Sequence, residues 1–406
     1  MDRPIRVLMV NDYGRPNGGA ELQMLALRDG LRRRGHSVRL FTSDAELTPG
    51  FDLLADRSCR GRADIVQVLT QTANLSAFRQ LRRELAEHPP DLVHIRMFLW
   101  QLSPLILPLL ANVPVLFQAA VYKAICPNGL KLLPDGRSCE VRAGLVCRSS
   151  GCVAPKTWAS TMVQLAMVRR WRGAIDVSAA LSRRMADLFQ RDGWGEMTVL
   201  PNGVDEAPMR PPLEGPPLAA YAGRLSREKG IETLLAAFAQ VRQRLPGAEL
   251  AIAGAGPLEA ELRAHGTGGG ARFLGHLPRP EMEAAFGRAW VQAVPSLWHE
   301  PFGNVSTEAM MRGTPVIASD VGGQSDIVRD GRTGYLVPPG DVEALADRLW
   351  RVLSNRDHAE ELGSEGRRVA LAEFSREAAL DRLEEAYGET LRRFAATRPR
   401  GSTPRA

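Results

Sequence analysis

The feature that most constrains this fold is a strand-and-helix alternation that runs once, stops and then starts again. In the first half Ile5–Val10 is a run of buried-strand character, Ala20–Arg34 has helical periodicity closed by Gly35, and Val38–Thr42 and Leu92–Ile95 are further strands. The second half restarts the pattern with Leu218–Tyr221, the helix Ile231–Arg244, Glu249–Ile252, Val291–Val294, Pro315–Ala318 and Tyr335–Val337. Short apolar strands alternating with longer helices are the mark of open parallel sheets, so the expected fold class is α/β with two such sheets. Between the halves lies PNGVDEAPMRPPLEGPP, too rich in Pro and Gly for the interior of an element. This predicts an N-terminal domain over 1–200, a linker over 201–217 and a C-terminal domain over 218–375. Val342–Leu353 and Arg376–Ala395 read as amphipathic helices, the second (376–395) leading into a flexible tail over 396–406.

A chain of 406 residues, 44% hydrophobic and 24% charged, has ample material for two cores, which excludes disorder and small-scaffold folds. Its 52 basic residues exceed 46 acidic ones for a net charge of +6, but no run resembles a basic nucleic-acid arm, so no nucleic-acid partner is expected. The excess suits an anionic ligand or surface. Only four of those cations are lysines, Lys123, Lys131, Lys156 and Lys229, so each surviving lysine invites a question. The N-terminal apolar run is four residues where a secretory signal needs roughly 7–15, which points to a cytoplasmic protein. Met97–Tyr122 is free of charge, but Pro104, Pro108 and Pro114 break it into a buried helix and a strand rather than a membrane span.

Three segments carry candidate chemistry. Asn17-Gly18-Gly19-Ala20-Glu21 joins the first strand to the first helix, where unpaired N–H groups and the helix dipole favour an anion; a ligand-free tight turn is the alternative. Arg224 and Lys229, in GRLSREKG, follow a strand at the carboxyl edge where open sheets bind ligands, and two cations on one loop suit a diphosphate. Glu300 and Glu308 stand in HEPFGNVSTEAMMRGTPV. Gly303 and Asn304 open a helix over Asn304–Arg312 and present N–H groups, Glu308 lies on its second turn, and Glu300 faces whatever those groups hold.

Other features read less uniquely. His94 ends a strand and is a candidate for lining a cleft, or a satisfied half-buried histidine. Cys126, Cys139, Cys147 and Cys152 are four thiols in one Gly- and Pro-rich loop. Tetrahedral structural zinc, free thiols and disulfides all remain open, because no Cys-x2-Cys pair is present. TWASTMVQLAMVRRWRG mixes Trp158, Trp171 and three arginines on a helical pattern, a helix that either lies peripherally on an anionic membrane or packs on its own domain.

Together NGGAE, PNGVD, GRLSREKG, AGAGP, EPFGNVSTEAMMRGTPVIASDVGG and DGRTGYLVPPGD closely resemble the family-4 retaining glycosyltransferases of GT-B fold (glycosyl transferases group 1). The likeness runs from about residue 5 to 390 and is dense over 200–341. It implies two Rossmann-like domains facing across a cleft, the acceptor on the N-terminal side and the nucleotide-sugar on the C-terminal side, with no cofactor required for catalysis. Carried over by position, Arg224 and Lys229 would hold the donor diphosphate, Gly303 and Asn304 would cap it, and Glu308 would take the ribose hydroxyls. Gly18 and Gly19 would approach from the other domain, and Gly254 and Phe302 complete the donor set. Glu300 would be the catalytic carboxylate, facing the transferred sugar, and His94 the acceptor-side candidate. A Cys-rich insert over about 126–152 also recurs in a subset of the family. Two positions depart from the pattern: the His-Asp usually found six residues before Cys-Pro is Ala120-Val121, and the second histidine of a His-x-His is Arg96.

The resemblance implies a hexosyltransferase that forms an alpha linkage in the biosynthesis of polysaccharides, glycolipids or glycosylated natural products. Its donor would be UDP-, GDP- or ADP-linked, and its acceptor a glycan, a lipid-linked molecule or a small molecule. The chain would be cytoplasmic or peripheral on the inner face of the membrane. A nucleotide-sugar epimerase of the same fold, and a pseudo-enzyme that binds the nucleotide-sugar without transfer, are the alternatives. No G-x-G-x-x-G opens the first helix, which argues against a dinucleotide dehydrogenase.

Overall fold

The computed structural model describes residues 3–16, 18–46, 50–64, 67–264 and 270–397. Asn17 and most of the tail expected over 396–406 lie outside the described residues. The chain divides into two units. One holds the chain up to Pro134, Glu140–Gly203 and the helix Arg376–Thr397; the other holds Asp135–Cys139 and Val204–Ser375.

The first unit is built on a parallel sheet of seven strands: β1 (Arg6–Tyr13), β2 (Ser37–Ser43), β3 (Arg57–Cys59), β4 (Leu92–Ile95), β5 (Val115–Ala119), β6 (Val177–Ala180) and β7 (Thr198–Val199). Their order across the sheet is β3-β2-β1-β4-β5-β6-β7. Met9, Leu40, Leu92 and Leu116 are fully buried, as expected for a sheet covered on both faces, and each such side chain contributes roughly 1.5–3 kcal/mol. The helix Gly19–Arg33 packs over β1 and β2 and ends where Gly35 takes φ +90°. Leu380, Leu383 and Tyr387 of the helix Arg376–Thr397 join the same core. A Cβ on Gly30 would come within 2.6 Å of Leu380 Cδ1, so the close approach of these two helices depends on that glycine. Arg34 adds ion pairs to Glu377 at 2.6 Å and Asp381 at 2.7 Å.

The second unit carries β8 (Leu218–Ala222), β9 (Glu249–Ala253), β10 (Ala271–Gly275), β11 (Val291–Val294), β12 (Val316–Ser319) and β13 (Gly334–Val337), all parallel, in the order β10-β9-β8-β11-β12-β13. Leu234, Phe238, Ile252, Val291, Ile317 and Leu349 fill its core. The Pro-rich stretch before β8 has no regular element but is pinned to this unit. Buried Arg210 donates to the Gly313 carbonyl at 3.0 Å and to Glu360, whose carboxylate also accepts from the Leu213 N–H at 2.7 Å.

Each sheet reverses its winding once, between β1 and β4 and between β8 and β11, and open sheets form their ligand crevice at the carboxyl ends of such strands. Two local features differ from expectation. The apolar run after Ser103 forms a 3₁₀ helix, Pro104–Leu110, because Pro108 lacks the N–H that an α-helix would use. The 19-residue helix Arg356–Phe374, which the sequence reading did not include, contains Gly363 and Gly366; a Cβ on Gly363 would stand 2.1 Å from the Gly313 carbonyl oxygen. Among the described residues no helix is long and apolar enough to cross a membrane. The helix Pro155–Trp171 buries Leu165 and Val168, and Gln164 donates to the carbonyls of Gln71 and Leu99 at 2.5 and 2.7 Å.

Candidate active site

The β8/β11 crevice is made by two loops held together by their backbones. After β8 the chain runs through Gly223–Gly230 and closes a 3₁₀ turn at Arg227–Lys229. Gly230 adopts φ +67°, and a Cβ there would lie 1.9 Å from the Pro295 carbonyl oxygen, so glycine is what lets the two loops meet. The Leu297 N–H donates to the Glu228 carbonyl at 2.9 Å and fixes their register. Gly254 has the same kind of role: at φ +142° its Cβ would stand 1.9 Å from the Gly223 carbonyl oxygen.

This pairing brings Lys229 against Glu300. The Lys229 ammonium forms an ion pair with Glu300 Oε1, and the same oxygen accepts from Ser296 Oγ at 2.8 Å. Glu300 Oε2 accepts from Gln324 Nε2 at 3.1 Å, and Gln324 Oε1 in turn accepts from Ser306 Oγ at 2.6 Å. The Glu300 backbone is clamped as well. Its carbonyl accepts from the Gly323 N–H at 2.8 Å, and a Cβ on Gly322, at φ +62°, would fall 2.5 Å from both its nitrogen and its oxygen. Burial alone would raise the Glu300 pKa, but the Lys229 charge and the three donors outweigh it and hold the carboxyl below its ordinary value. Glu300 is therefore an oriented carboxylate at neutral pH, neither an acid nor a mobile base.

Arg224 is largely exposed and pairs with Glu228 at 2.6 Å, whose carboxylate also accepts from Ser226 Oγ at 2.6 Å. Gly303 caps the helix Asn304–Met311 with φ +148° and no side-chain cap, so the N-terminal end of that helix is left to the loop and whatever it binds. Glu308 lies on the second turn and is half-buried. The structure thus gathers Arg224, Lys229, Glu300, Gly303 and Asn304 on the loops and helix that follow β8 and β11. Phe302 differs from its expected role: its ring packs edge-on against Phe374 at 5.9 Å, leaving only backbone to face a ligand. Ser296, Gln324 and Gly322 were not singled out in sequence. The Gly-Gly pair in DVGGQSD was the signal, since it permits the approach that puts Gln324 on Glu300.

In the first unit Gly18 is the N-cap of the helix Gly19–Arg33, in extended conformation and with no side-chain cap. Glu21 is buried over this turn, 3.0 Å from where a Gly18 Cβ would be, and burial raises its pKa. His94 does not line a crevice. It is fully buried, its Nδ1 hydrogen-bonds the Tyr387 hydroxyl at 2.9 Å, and burial together with the Arg96 charge lowers its pKa to about 3. Its Nε2 is buried with no hydrogen-bond partner among the described residues, so the structure places His94 in the core and not on the acceptor side of a crevice, where it was expected. Among the described residues no group of three or more Cys, His, Asp or Glu is gathered to hold a metal, Cys126, Cys139, Cys147 and Cys152 included. Cys126 Sγ instead hydrogen-bonds Asn128 Oδ1 at 2.9 Å.

Comparison with known proteins decides the family. Residues 18–203 match the glycosyl transferase 4-like domain and residues 205–369 match glycosyl transferases group 1. A phosphatidyl-myo-inositol mannosyltransferase of Mycobacterium leprae is 30% identical over 83% of this chain and 84% of its own length. The chain belongs to the group 1 glycosyltransferases. Glycogen synthase of Mycobacterium tuberculosis is 36% identical over 51% of this chain, a match that spans about half (52%) of that relative. Among solved structures, sucrose-phosphate synthase of Thermosynechococcus elongatus superposes with TM-score 0.70 over 97% of this chain and 100% of its own, at 24% identity. Anabaena HepE in complex with UDP and glucose superposes with TM-score 0.66 over 95% of this chain and 99% of its own, at 18% identity. At such identities these two show the fold, which is the GT-B architecture with a parallel sheet in each domain.

Proposed function

We propose that this chain is a retaining glycosyltransferase that moves a hexose from a nucleoside diphosphate to an acceptor hydroxyl with an alpha linkage. The observation that carries the reading is the Glu300 carboxylate, buried, ionised and locked by Lys229, Ser296 and Gln324 beside an uncapped helix N-terminus. The names of relatives and neighbours support a nucleotide-sugar donor: HepE was crystallised with UDP-glucose, and the relatives include a mannosyltransferase and inositol glycosyltransferases.

In this mechanism the donor diphosphate sits on Arg224, Lys229 and the N–H groups at Gly303 and Asn304, with Glu308 on the ribose hydroxyls. An ammonium has three protons, so Lys229 can hold Glu300 and a phosphate oxygen together. The bond from the anomeric carbon to the leaving phosphate oxygen breaks as the acceptor oxygen attacks from the same face. The acceptor proton passes to the departing diphosphate. Glu300 faces the positive charge that develops on the sugar, and the cations and helix N-terminus face the negative charge that leaves. Preorganised charge of this kind supplies leaving-group stabilisation from the chain itself, and activity is expected to need no divalent metal.

Incubating the protein with UDP-, GDP- and ADP-sugars and an acceptor panel tests the proposal. Product of donor-sugar-plus-acceptor mass with an alpha anomeric proton is expected. An isomer of unchanged donor mass would mean an epimerase, and donor binding without any product would mean a binding protein.

A further inference from the structure

The net charge of the chain is not spread evenly over it. Between Glu140 and Asp176 stand six cations, Arg142, Arg148, Lys156, Arg169, Arg170 and Arg172, and no carboxylate, so the rest of the chain holds 46 basic and 46 acidic residues and is formally neutral. This stretch contains the helix Pro155–Trp171, which buries Thr161, Gln164, Leu165 and Val168 on one face. Its opposite face repeats at helical spacing through Lys156, Ala159, Val163, Ala166 and Arg170, all exposed, an apolar strip with a cation at each end. Arg142 and Arg169 are engaged by Asp192, while Arg148, Lys156 and Arg170 are exposed and form no ion pair among the described residues.

Neighbouring elements widen the strip. The helix Gln67–Thr70 packs against Pro155–Trp171, with Thr72 Oγ1 donating to the Ser160 carbonyl at 3.3 Å, and presents Leu69, 67% exposed. The turn before Val146–Ser149 is tied to the same helix by Trp158 Nε1, which donates to the Gly144 carbonyl at 3.0 Å, and presents Leu145, 72% exposed. Val163, on the strip itself, is 51% exposed. Single exposed apolar side chains are ordinary on a protein surface, but three on touching elements, beside unpaired cations and far from compensating acid, make a patch. A second copy of the chain suits it poorly, because like faces would set the same cations against each other. An anionic bilayer supplies both complements, phosphate groups for Arg148, Lys156 and Arg170 and an acyl boundary for Leu69, Leu145 and Val163.

We propose that the outer face of the helix Pro155–Trp171, with Leu69 and Leu145 beside it, docks the chain on an anionic lipid bilayer. The helix packs on its own unit through one face and keeps the other for lipid, lying in the interface plane; among the described residues no helix is long and apolar enough to cross a membrane. The docking surface does not depend on the transferase reading. Where that reading holds, the buried side of the same helix braces the loop after β4 through Gln164 on the Leu99 carbonyl, so the carboxyl end of β4 lies about one helix diameter, roughly 10–12 Å, from the bilayer.

Vesicle flotation of the full chain, without any sugar nucleotide, compares phosphatidylcholine alone with an equal mixture of phosphatidylcholine and phosphatidylglycerol, at low and high salt. The wild type should bind the anionic vesicles about tenfold more strongly than the neutral ones, and high salt should weaken that binding. Lys156→Gln combined with Arg170→Gln should lower it about tenfold. Leu145→Ser combined with Val163→Ser should lower it as well but leave its salt dependence in place. Arg244→Gln combined with Arg356→Gln, which removes two exposed arginines from the other unit, should leave it unchanged. All substituted positions are exposed, and thermal melts matching the wild type show that each variant is folded. No binding to anionic vesicles, equal binding to neutral ones, or an equal loss in the Arg244 and Arg356 variant would each overturn the proposal. A wild-type dimer by light scattering that Leu145→Ser with Val163→Ser makes monomeric would assign the face to a second copy and overturn it too. Vesicle binding by a protein that transfers no sugar would sink the transferase reading and leave the docking surface standing.

Discussion

At the β8/β11 crevice the carboxylate of Glu300 engages Lys229, Ser296 and Gln324 through its two oxygens, whereas at the β1/β4 crevice the guanidinium of Arg96 bonds through one nitrogen of three. The sheets have the same winding and place their loops alike, so topology does not explain the difference. It arises in the loops. After β11 and β12, glycines at 303, 322 and 323 let neighbouring turns close on Glu300, and the charge is satisfied before any ligand arrives. After β4, Asp12 takes up the backbone N–H groups of the Met97–Leu102 loop, and nothing of opposite charge reaches the Arg96 Nε and Nη1 atoms. One crevice has its buried charge satisfied; the other keeps a buried charge with two nitrogens that have no hydrogen-bond partner among the described residues.

The largest test of that contrast is Glu300→Gln, which keeps the shape of the network and removes its charge. Turnover should fall about 10²–10³-fold with a smaller change in donor KM, because the carboxylate acts on charge that exists only in the transition state. Full turnover on a confirmed acceptor would remove Glu300 from catalysis.

Opposite pH slopes come next. The folded-state pKa of Glu300 is depressed from an ordinary value of 4.5, so its contribution is present above that pH and is lost as pH falls through the depressed value. For Asp12, burial outweighs four backbone hydrogen bonds and pushes the pKa from 3.8 to about 6. Its contribution is fully present below pH 3.8 and is lost as pH rises through about 6, a change on the order of 2–3 kcal/mol. Thermal unfolding between pH 3 and 7 should show Asp12→Asn removing the falling limb and Glu300→Gln the rising one. Identical pH profiles for wild type and both variants would break the comparison.

Lys229→Ala should weaken UDP binding about tenfold, or about 1.4 kcal/mol, and Arg224→Ala less, because the Arg224 side chain is 62% exposed and screened. Calorimetry ranks the two, and equal losses would mean that exposure does not set their roles. Glu308→Gln should raise the donor KM several-fold at near-constant kcat, since it meets neutral hydroxyls in the ground state. The smallest expected effect is none: EDTA should leave turnover unchanged, and magnesium- or manganese-dependent recovery would show that Lys229, Arg224 and the helix N-terminus do not suffice.

The central strands of both sheets were legible in the sequence because a parallel strand buried on two faces must be written as a short apolar run, which is a local property, whereas Arg57–Cys59, Val177–Ala180, Thr198–Val199 and Ala271–Gly275 were not read. Leu92–Ile95, Ile231–Arg244, Val291–Val294 and Val342–Leu353 were placed to the residue on that basis. Arg224, Lys229, Glu300 and Gly303 were also visible, since a cation-rich turn or a Gly before a helix states its chemistry within a few residues. What lay beyond reading depends on contacts distant in the chain. Helix Arg356–Phe374 keeps Gly363 because the Gly313 carbonyl comes close to it. Gln324 matters because the Gly322-Gly323 turn brings it onto Glu300, 24 positions away. His94 looked like a crevice residue until Tyr387, 293 positions away, closed over it. Burial and partner choice are set by packing between segments, so local pattern determined the elements and the candidate charges, while the tertiary structure alone decided which charges are satisfied and which are left without a partner.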